Sequence, residues 1–228
     1  MFEFFIVFLC FIFLLIVLAV LGCRANVADW GGPGRNILDG LVRLFCFKFH
    51  RLVHEPVLLP KEGPALFVSN HISGLDPFLM VTASPRPIRF LIANEEYHRF
   101  GARWLFRLSG CIPIERNGRN EAALRAVINA LRAGEVVALF PEGGIHLSNE
   151  PPKQLKRGVA KLAEMTQAPI CPVSIRGVKG EGLTVSAIFK RSYAKLYTYP
   201  PLNCGQKTEE ACLAELQEIL NKRRKMTK

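Results

Sequence analysis

The chain has 228 residues, half of them hydrophobic, with 30 Lys and Arg against 19 Asp and Glu for a formal charge of +11. That balance excludes a disordered chain, a collagen-like repeat and a coiled coil, and the length fits one domain with an appendage. The seven cysteines are scattered and form no C-x-x-C pair, which argues against a disulfide framework or a zinc site and for a reducing compartment.

The first segment, Phe4 to Gly22, carries no charge. At ~1.5 Å rise per residue it reaches about 28 Å as a helix, enough to cross or deeply enter a bilayer. A cleaved signal peptide wants a basic start and a shorter apolar stretch, whereas only Glu3 is charged ahead of this one. Arg24, Arg35, Arg43, Lys48, Arg51 and Lys61 follow it. By the positive-inside rule the rest of the chain then lies in the cytoplasm, on the inner membrane or another cytoplasm-facing membrane. After the break Gly31-Gly32-Pro33-Gly34, residues 37 to 53 read as an amphipathic helix. Asn36, Asp39, Arg43, His50 and Arg51 share one face, and Leu41, Leu44, Phe45, Phe49 and Leu52 share the other. Such a helix suits a membrane interface; packing on the protein core is the competing reading. Residues 1–63 are therefore expected to form a membrane unit and residues 64–228 the soluble body.

In the body, short apolar runs alternate with helical patterns. Ala65–Ser69, Ile88–Ala93, Cys111–Glu115, Val136–Phe140 and Ile170–Ile175 read as strands. Between them, Asn120 to Ala133 places Leu124, Val127, Ile128 and Leu131 on one helical face and stops at Gly134. Nearly continuous apolar strands alternating with helices predict an α/β fold with a mixed, mostly parallel sheet flanked by helices. Leu183–Ile188 and Ala194–Tyr199 are expected as antiparallel additions at an edge. A last helix begins at Thr208 with Glu209 and Glu210 in its first turn, and Lys222, Arg223, Arg224 and Lys225 close it, a polarity that suits the helix dipole.

One loop carries candidate chemistry. After the first strand of the body, Ser69-Asn70-His71-Ile72-Ser73-Gly74-Leu75-Asp76 places His71 and Asp76 five apart across a glycine-containing turn. An imidazole with a pKa near ~6.5 can take a proton from an alcohol. A carboxylate on its other nitrogen fixes the tautomer and stabilises the imidazolium. A loop histidine beside an aspartate that only caps the next helix fits the same spacing. No Ser or Cys sits in a recognised nucleophile setting such as G-x-S-x-G.

Three further segments follow in order: Gly110-Cys111-Ile112-Pro113-Ile114-Glu115-Arg116, Phe140-Pro141-Glu142-Gly143, and Pro169-Ile170-Cys171-Pro172-Val173-Ser174-Ile175. With Asn70–Asp76 they match the blocks N-H-x4-D, G-x-x-x-x-x-R, F-P-E-G and P-I-x-P-V-x-I. The sequence therefore resembles the glycerophospholipid acyltransferase family, the group containing 1-acylglycerol-3-phosphate acyltransferase, over about Pro64 to Gly177. The resemblance implies acyl transfer from coenzyme A or acyl carrier protein to the free hydroxyl of a lysophospholipid at a membrane, with no cofactor. By position, His71 would be the general base and Asp76 its partner. Arg116 would bind the phosphate, and Glu142 with Gly143 would shape the acceptor site.

One departure matters. The family's third block commonly continues Thr-Arg-Ser, whereas Gly144-Ile145-His146 follow Gly143 here. Lys156 or Arg157, in Leu155-Lys156-Arg157-Gly158, could supply the missing basic contact. A lysolipid without a phosphomonoester, such as an amino-acid-containing one, stays open as acceptor, as does a non-catalytic lipid-binding protein on the same fold. A metal hydrolase using His71, Asp76 and Glu142 lacks a third His or Cys ligand. No metal is expected. The surplus positive charge points to an anionic membrane rather than nucleic acid, because the basic residues cluster beside apolar segments and in no recognised nucleic-acid module.

Overall fold

The computed structural model describes residues 2–99, 101, 103–115, 120–147, 149–205 and 207–222. Two helices come first, α1 (Phe2–Ala25) and α2 (Pro33–Lys48). Then follow β1 (Val53–His54), β2 (Ala65–Ser69), α3 (Asp76–Ala83), β3 (Ile88–Ala93), α4 (Asn94–Tyr97), α5 (Arg103–Leu108) and β4 (Ile112–Ile114). The second half contains α6 (Glu121–Arg132), β5 (Val136–Leu139), α7 (Gly158–Thr166), β6 (Ile170–Arg176), β7 (Lys195–Thr198) and α8 (Glu209–Lys222).

The strands form one sheet in the order β1-β7-β6-β2-β5-β3-β4. Every pairing is parallel except β6 with β7. Fully buried strands need apolar side chains on both faces, and β2 shows this directly. Its Ala65 and Phe67 join the core beneath α2 and α3, while Leu66 and Val68 join the core beneath α6, α7 and α8. The mostly parallel α/β sheet expected from the alternating pattern is thus present. The strand β1 joins it from the segment read as part of the N-terminal unit.

Two expectations for the body change. Residues 183–188 do not extend the sheet, and Val185–Phe189 is a 3-10 helix instead. Gly180 and Gly182 take positive φ of 102° and 81°, which bends the chain out of an extended path. Its backbone groups are then spent elsewhere: Gly182 N–H donates to Ile72 O and Gly74 N–H to Leu183 O. The cysteine pattern also missed a bridge, because Cys204 and Cys212 form a disulfide across the start of α8. Only the loop and first turn of that helix bring their Cα atoms to 5.6 Å.

The N-terminal helices pack closely. A side chain on Gly40 would start 1.8 Å from the carbonyl oxygen of Gly22, so only glycine permits this crossing. From Phe2 to Ile16 the flank of α1 stays exposed throughout, and the helix is long and apolar enough to cross a membrane. On α2 the polar stripe expected to face the interface is largely turned inward, with Asp39 and Arg43 buried. The pair is tolerable there because its hydrogen bonds are saturated. Asp39 Oδ2 lies 2.6 Å from Arg43 Nε and accepts from Asn26, and Oδ1 accepts from Trp30 Nε1. Arg43 also donates to the carbonyls of Thr82 and Ser84, at the end of α3. Removing one partner strands a buried charge, so Arg43→Ala should cost about 3–5 kcal/mol of unfolding free energy, measured by chemical denaturation in detergent.

His50, just beyond α2, is also buried. Its Nε2 lies 3.0 Å from the Ile188 carbonyl, and its Nδ1 has no partner among the described residues. Burial lowers its pKa below the ordinary histidine value, partly offset by that carbonyl. Between the lowered folded value and about 6.5 the unfolded chain binds more protons, so stability rises with pH through this window. The His50 contribution should be complete above the unfolded value and decline as acid is added below it. Melting curves of wild type and His50→Gln should diverge from pH 7 to pH 5, with wild type losing more.

Candidate active site

Parallel strands end together, and sites in such sheets form just beyond those ends. Here β2 lies between β5 and β6. The turn after β2 therefore meets the turn after β5, although His71 and Glu142 lie 71 positions apart in the chain. Asn70 opens the first turn and ties it to β6, accepting from Ile175 N–H at 2.8 Å and donating to Ile175 O at 3.0 Å.

The turn then wraps around Asp76, which is fully buried. Its Oδ2 accepts from Ile72 N–H at 2.6 Å and Ser73 N–H at 2.9 Å, and lies 2.9 Å from His71 Nδ1. Its Oδ1 accepts from the Ser73 hydroxyl at 2.9 Å. An ionised carboxylate can only accept hydrogen bonds, so the ring donates to it: Nδ1 carries the hydrogen and Nε2 is left as the acceptor. The His71 side chain is 18% exposed. Its ring stacks on Phe140, with centroids 4.0 Å apart, which fixes the ring plane.

The third block forms a platform under this dyad. Glu142 is buried, and its Oε2 accepts from His71 N–H at 3.3 Å. Next to it, Gly143 has φ 75°, and a Cβ there would meet the Lys156 side chain at 2.2 Å. Lys156 thus arches over Gly143, held by its own N–H donating to Pro141 O at 2.8 Å. His146 does not take the place of the family's arginine. Its Nδ1 lies 2.8 Å from Glu150 and its Nε2 2.9 Å from Pro151 O, and its N–H donates to His71 O at 2.7 Å.

His71 opens onto a groove of about 930 Å³. Leu38 and Val42 of α2, Phe78 and Val81 of α3, and Phe106 of α5 are among its apolar walls. Gly143, Lys156 and Lys161 add polar edges. Cys111 lines the groove too, but burial pushes its thiol above the ordinary range. It stays a neutral thiol at physiological pH and a poor nucleophile. Chemically, the arrangement can take a proton from a hydroxyl placed at Nε2, beside space for a long apolar chain.

Of the candidate residues, the fold brings His71, Asp76, Glu142, Gly143 and Lys156 together. Arg157 points elsewhere: its side chain is 71% exposed, and its Nε lies 3.4 Å from Glu209. Arg116 lies outside the described residues, although Glu115 and Asn120 on either side line the groove. Sequence reasoning did not single out Phe140, Ser73 or Asn70 by role. All three lie inside or beside the matched blocks, so the blocks were the available signal.

A family model described as Acyltransferase matches residues 50–176, more than half of the chain. The chain belongs to this acyltransferase family. The probable 1-acyl-sn-glycerol-3-phosphate acyltransferase of Mycoplasma genitalium is 34% identical over 131 residues, 54% of this chain and 48% of that protein. The chain thus spans about half the length of this relative. The 1-acyl-sn-glycerol-3-phosphate acyltransferase of Bacillus subtilis is 25% identical over 175 residues, 75% of this chain and 84% of its own. The crystal structure of the 1-acyl-sn-glycerophosphate acyltransferase of Thermotoga maritima shares the fold, with a TM-score of 0.65 at 23% identity, covering 87% of this chain and 82% of that one.

Asp76→Asn keeps the shape but turns one acceptor into a donor facing donors. In this member of the family it should cost about 2–3 kcal/mol of stability and free the His71 ring. Denaturant melts and the imidazole proton resonances, which should shift and broaden, check both effects.

Proposed function

We propose that the chain is a membrane-seated O-acyltransferase that moves a fatty acyl chain from coenzyme A or acyl carrier protein to the free hydroxyl of a lysophospholipid. The acceptor is 1-acylglycerol-3-phosphate and the product phosphatidic acid. The observation that carries this reading is His71 Nε2, open to an apolar groove while Asp76 holds Nδ1.

In the proposed reaction the acceptor hydroxyl gives its proton to His71 Nε2 as its oxygen attacks the thioester carbonyl. The C–O bond forms, and the tetrahedral intermediate collapses with cleavage of the C–S bond. The leaving thiolate takes the proton back from the imidazolium. Asp76 does not accept the proton; it holds the ring and stabilises its positive charge. Glu142 and Gly143 act through position, the first by holding the His71 backbone and the second by leaving room for Lys156. Lys156 and Arg116 take the acceptor's phosphate, while the pairing of Arg157 with Glu209 favours a structural role for Arg157. Both substrates are amphiphiles, so a groove beside an anchor avoids extracting them into water at ~0.8 kcal/mol per CH₂.

A second acceptor class is favoured by one observation. The family's third-block arginine position is held here by Ile145, and the neighbouring His146 is already engaged by Glu150 and Pro151, which suits a lysolipid without a phosphomonoester.

Purified protein in anionic vesicles should release thiol from acyl-coenzyme A when 1-acylglycerol-3-phosphate is present. His71→Ala should slow release by roughly 10³-fold, and equal rates in the two proteins would sink the mechanism. Lys156→Ala should raise KM for the phosphomonoester acceptor about tenfold with little change in kcat, and Arg157→Ala should change neither by more than about twofold. Crossing a panel of lysolipids with acyl-coenzyme A and acyl carrier protein assigns acceptor and donor.

A further inference from the structure

Two exposed apolar lips flank the groove, and the dyad uses neither. On one side the six-residue α5 leaves Trp104 61% and Leu108 36% exposed, with exposed Arg103 and Arg107 alongside. Across an open cleft of about 530 Å³ these two apolar side chains oppose Ile37, Leu38 and Leu41 of α2. Arg35, Leu38 and Leu108 line both the cleft and the main groove, so the cleft opens sideways into it. On the other side the 3-10 turn leaves Val185 49% and Phe189 74% exposed, followed by exposed Lys190 and Arg191. That turn stays beside the His71 loop because a Cβ on Gly74 would strike Thr184 O.

Water-facing aromatic residues of this size need a partner to cover them. A tryptophan beside arginines is the composition of a membrane interface, where the ring lies at headgroup level and cations meet anionic lipid. The cleft is also continuous with α2, and α2 is joined to the uncovered apolar helix α1. We infer that α5 and the turn at 185–189 are additional bilayer contacts that seat the groove mouth on an anionic lipid surface. The cleft between α5 and α2 is then a side entrance through which a single-chain lipid passes from the leaflet toward His71. The cargo of that entrance rests on the acyl-transfer reading; the docking does not.

The chain has two tryptophans, so the fluorescence difference between wild type and Trp104→Phe isolates the signal of Trp104. In full-length protein reconstituted into phosphatidylglycerol–phosphatidylcholine vesicles, that signal should be blue-shifted. Lipids brominated near the top of the acyl chain should quench it, and aqueous acrylamide should reach it poorly. Free access of acrylamide with no bromolipid quenching would overturn the docking. So would protection from both quenchers with a doubled particle mass, which would mark contact between two copies. A second variant reads function: Arg103→Glu with Arg107→Glu should lower kcat/KM about tenfold for a long-chain lysolipid in vesicles, with a short-chain, water-dispersed acceptor changed less than about twofold. Equal loss with both acceptors, or with neither, would overturn the entrance. If Trp104 enters lipid while wild type consumes no thioester, the catalytic reading fails and the docking stands.

Discussion

Asp76 is fully buried, and its carboxylate gathers two backbone N–H groups, the Ser73 hydroxyl and the His71 ring. Everything about the candidate site depends on that convergence. Such a carboxylate is costly to bury unless every lone pair has a donor, and the turn from His71 to Asp76 is folded so as to supply them. The same bonds that solvate the charge also set the loop's shape and the tautomer of the imidazole. The geometry of the candidate site and local stability are therefore one set of hydrogen bonds.

The helix that begins at Asp76 carries this constraint outward. Its far end presents the carbonyls of Thr82 and Ser84 to Arg43, whose guanidinium is bound to Asp39 on α2. Trp30 and Asn26, from the connection between α1 and α2, complete the cluster. The N-terminal helices are thus linked by buried polar contacts to the element that orients His71. Polar groups in such a cluster specify one arrangement where apolar packing would tolerate several. The groove inherits its position from this link, because its walls come from α2 and α3 on one side and from the ends of β3, β4 and β5 on the other.

Local order was legible in the sequence wherever one physical signal dominated. Apolar runs marked β2, β3, β5 and β6, the 3.6-residue period marked α6, and the uncharged segment marked α1. The expected strand at 183–188 failed because β-rich composition says nothing about which backbone groups are free to pair. Here Leu183 O is spent on the His71 loop, and Leu183 N–H, Thr184 O, Ala187 N–H and Ala187 O are spent on the turn itself. The polar stripe of α2 was visible as a stripe, but periodicity cannot tell a face turned to water from one buried against complementary charges. Cys204 and Cys212 escaped for a related reason: their proximity arises from a turn between loop and helix that no spacing rule encodes.

By itself the sequence determined most element types, the long apolar helix at the start, and the placing of His71 and Asp76 on one short turn, because five residues across a tight turn can meet without help from the rest of the chain. Only the tertiary structure decided that Glu142 supports the His71 backbone, that Phe140 fixes the ring, and that Lys156 reaches the groove while the neighbouring Arg157 turns to Glu209. These relations depend on β5 lying beside β2 and on the direction in which each side chain leaves α7's approach. Sheet order and side-chain direction are set by packing across the whole core, and packing is not a local property of any segment.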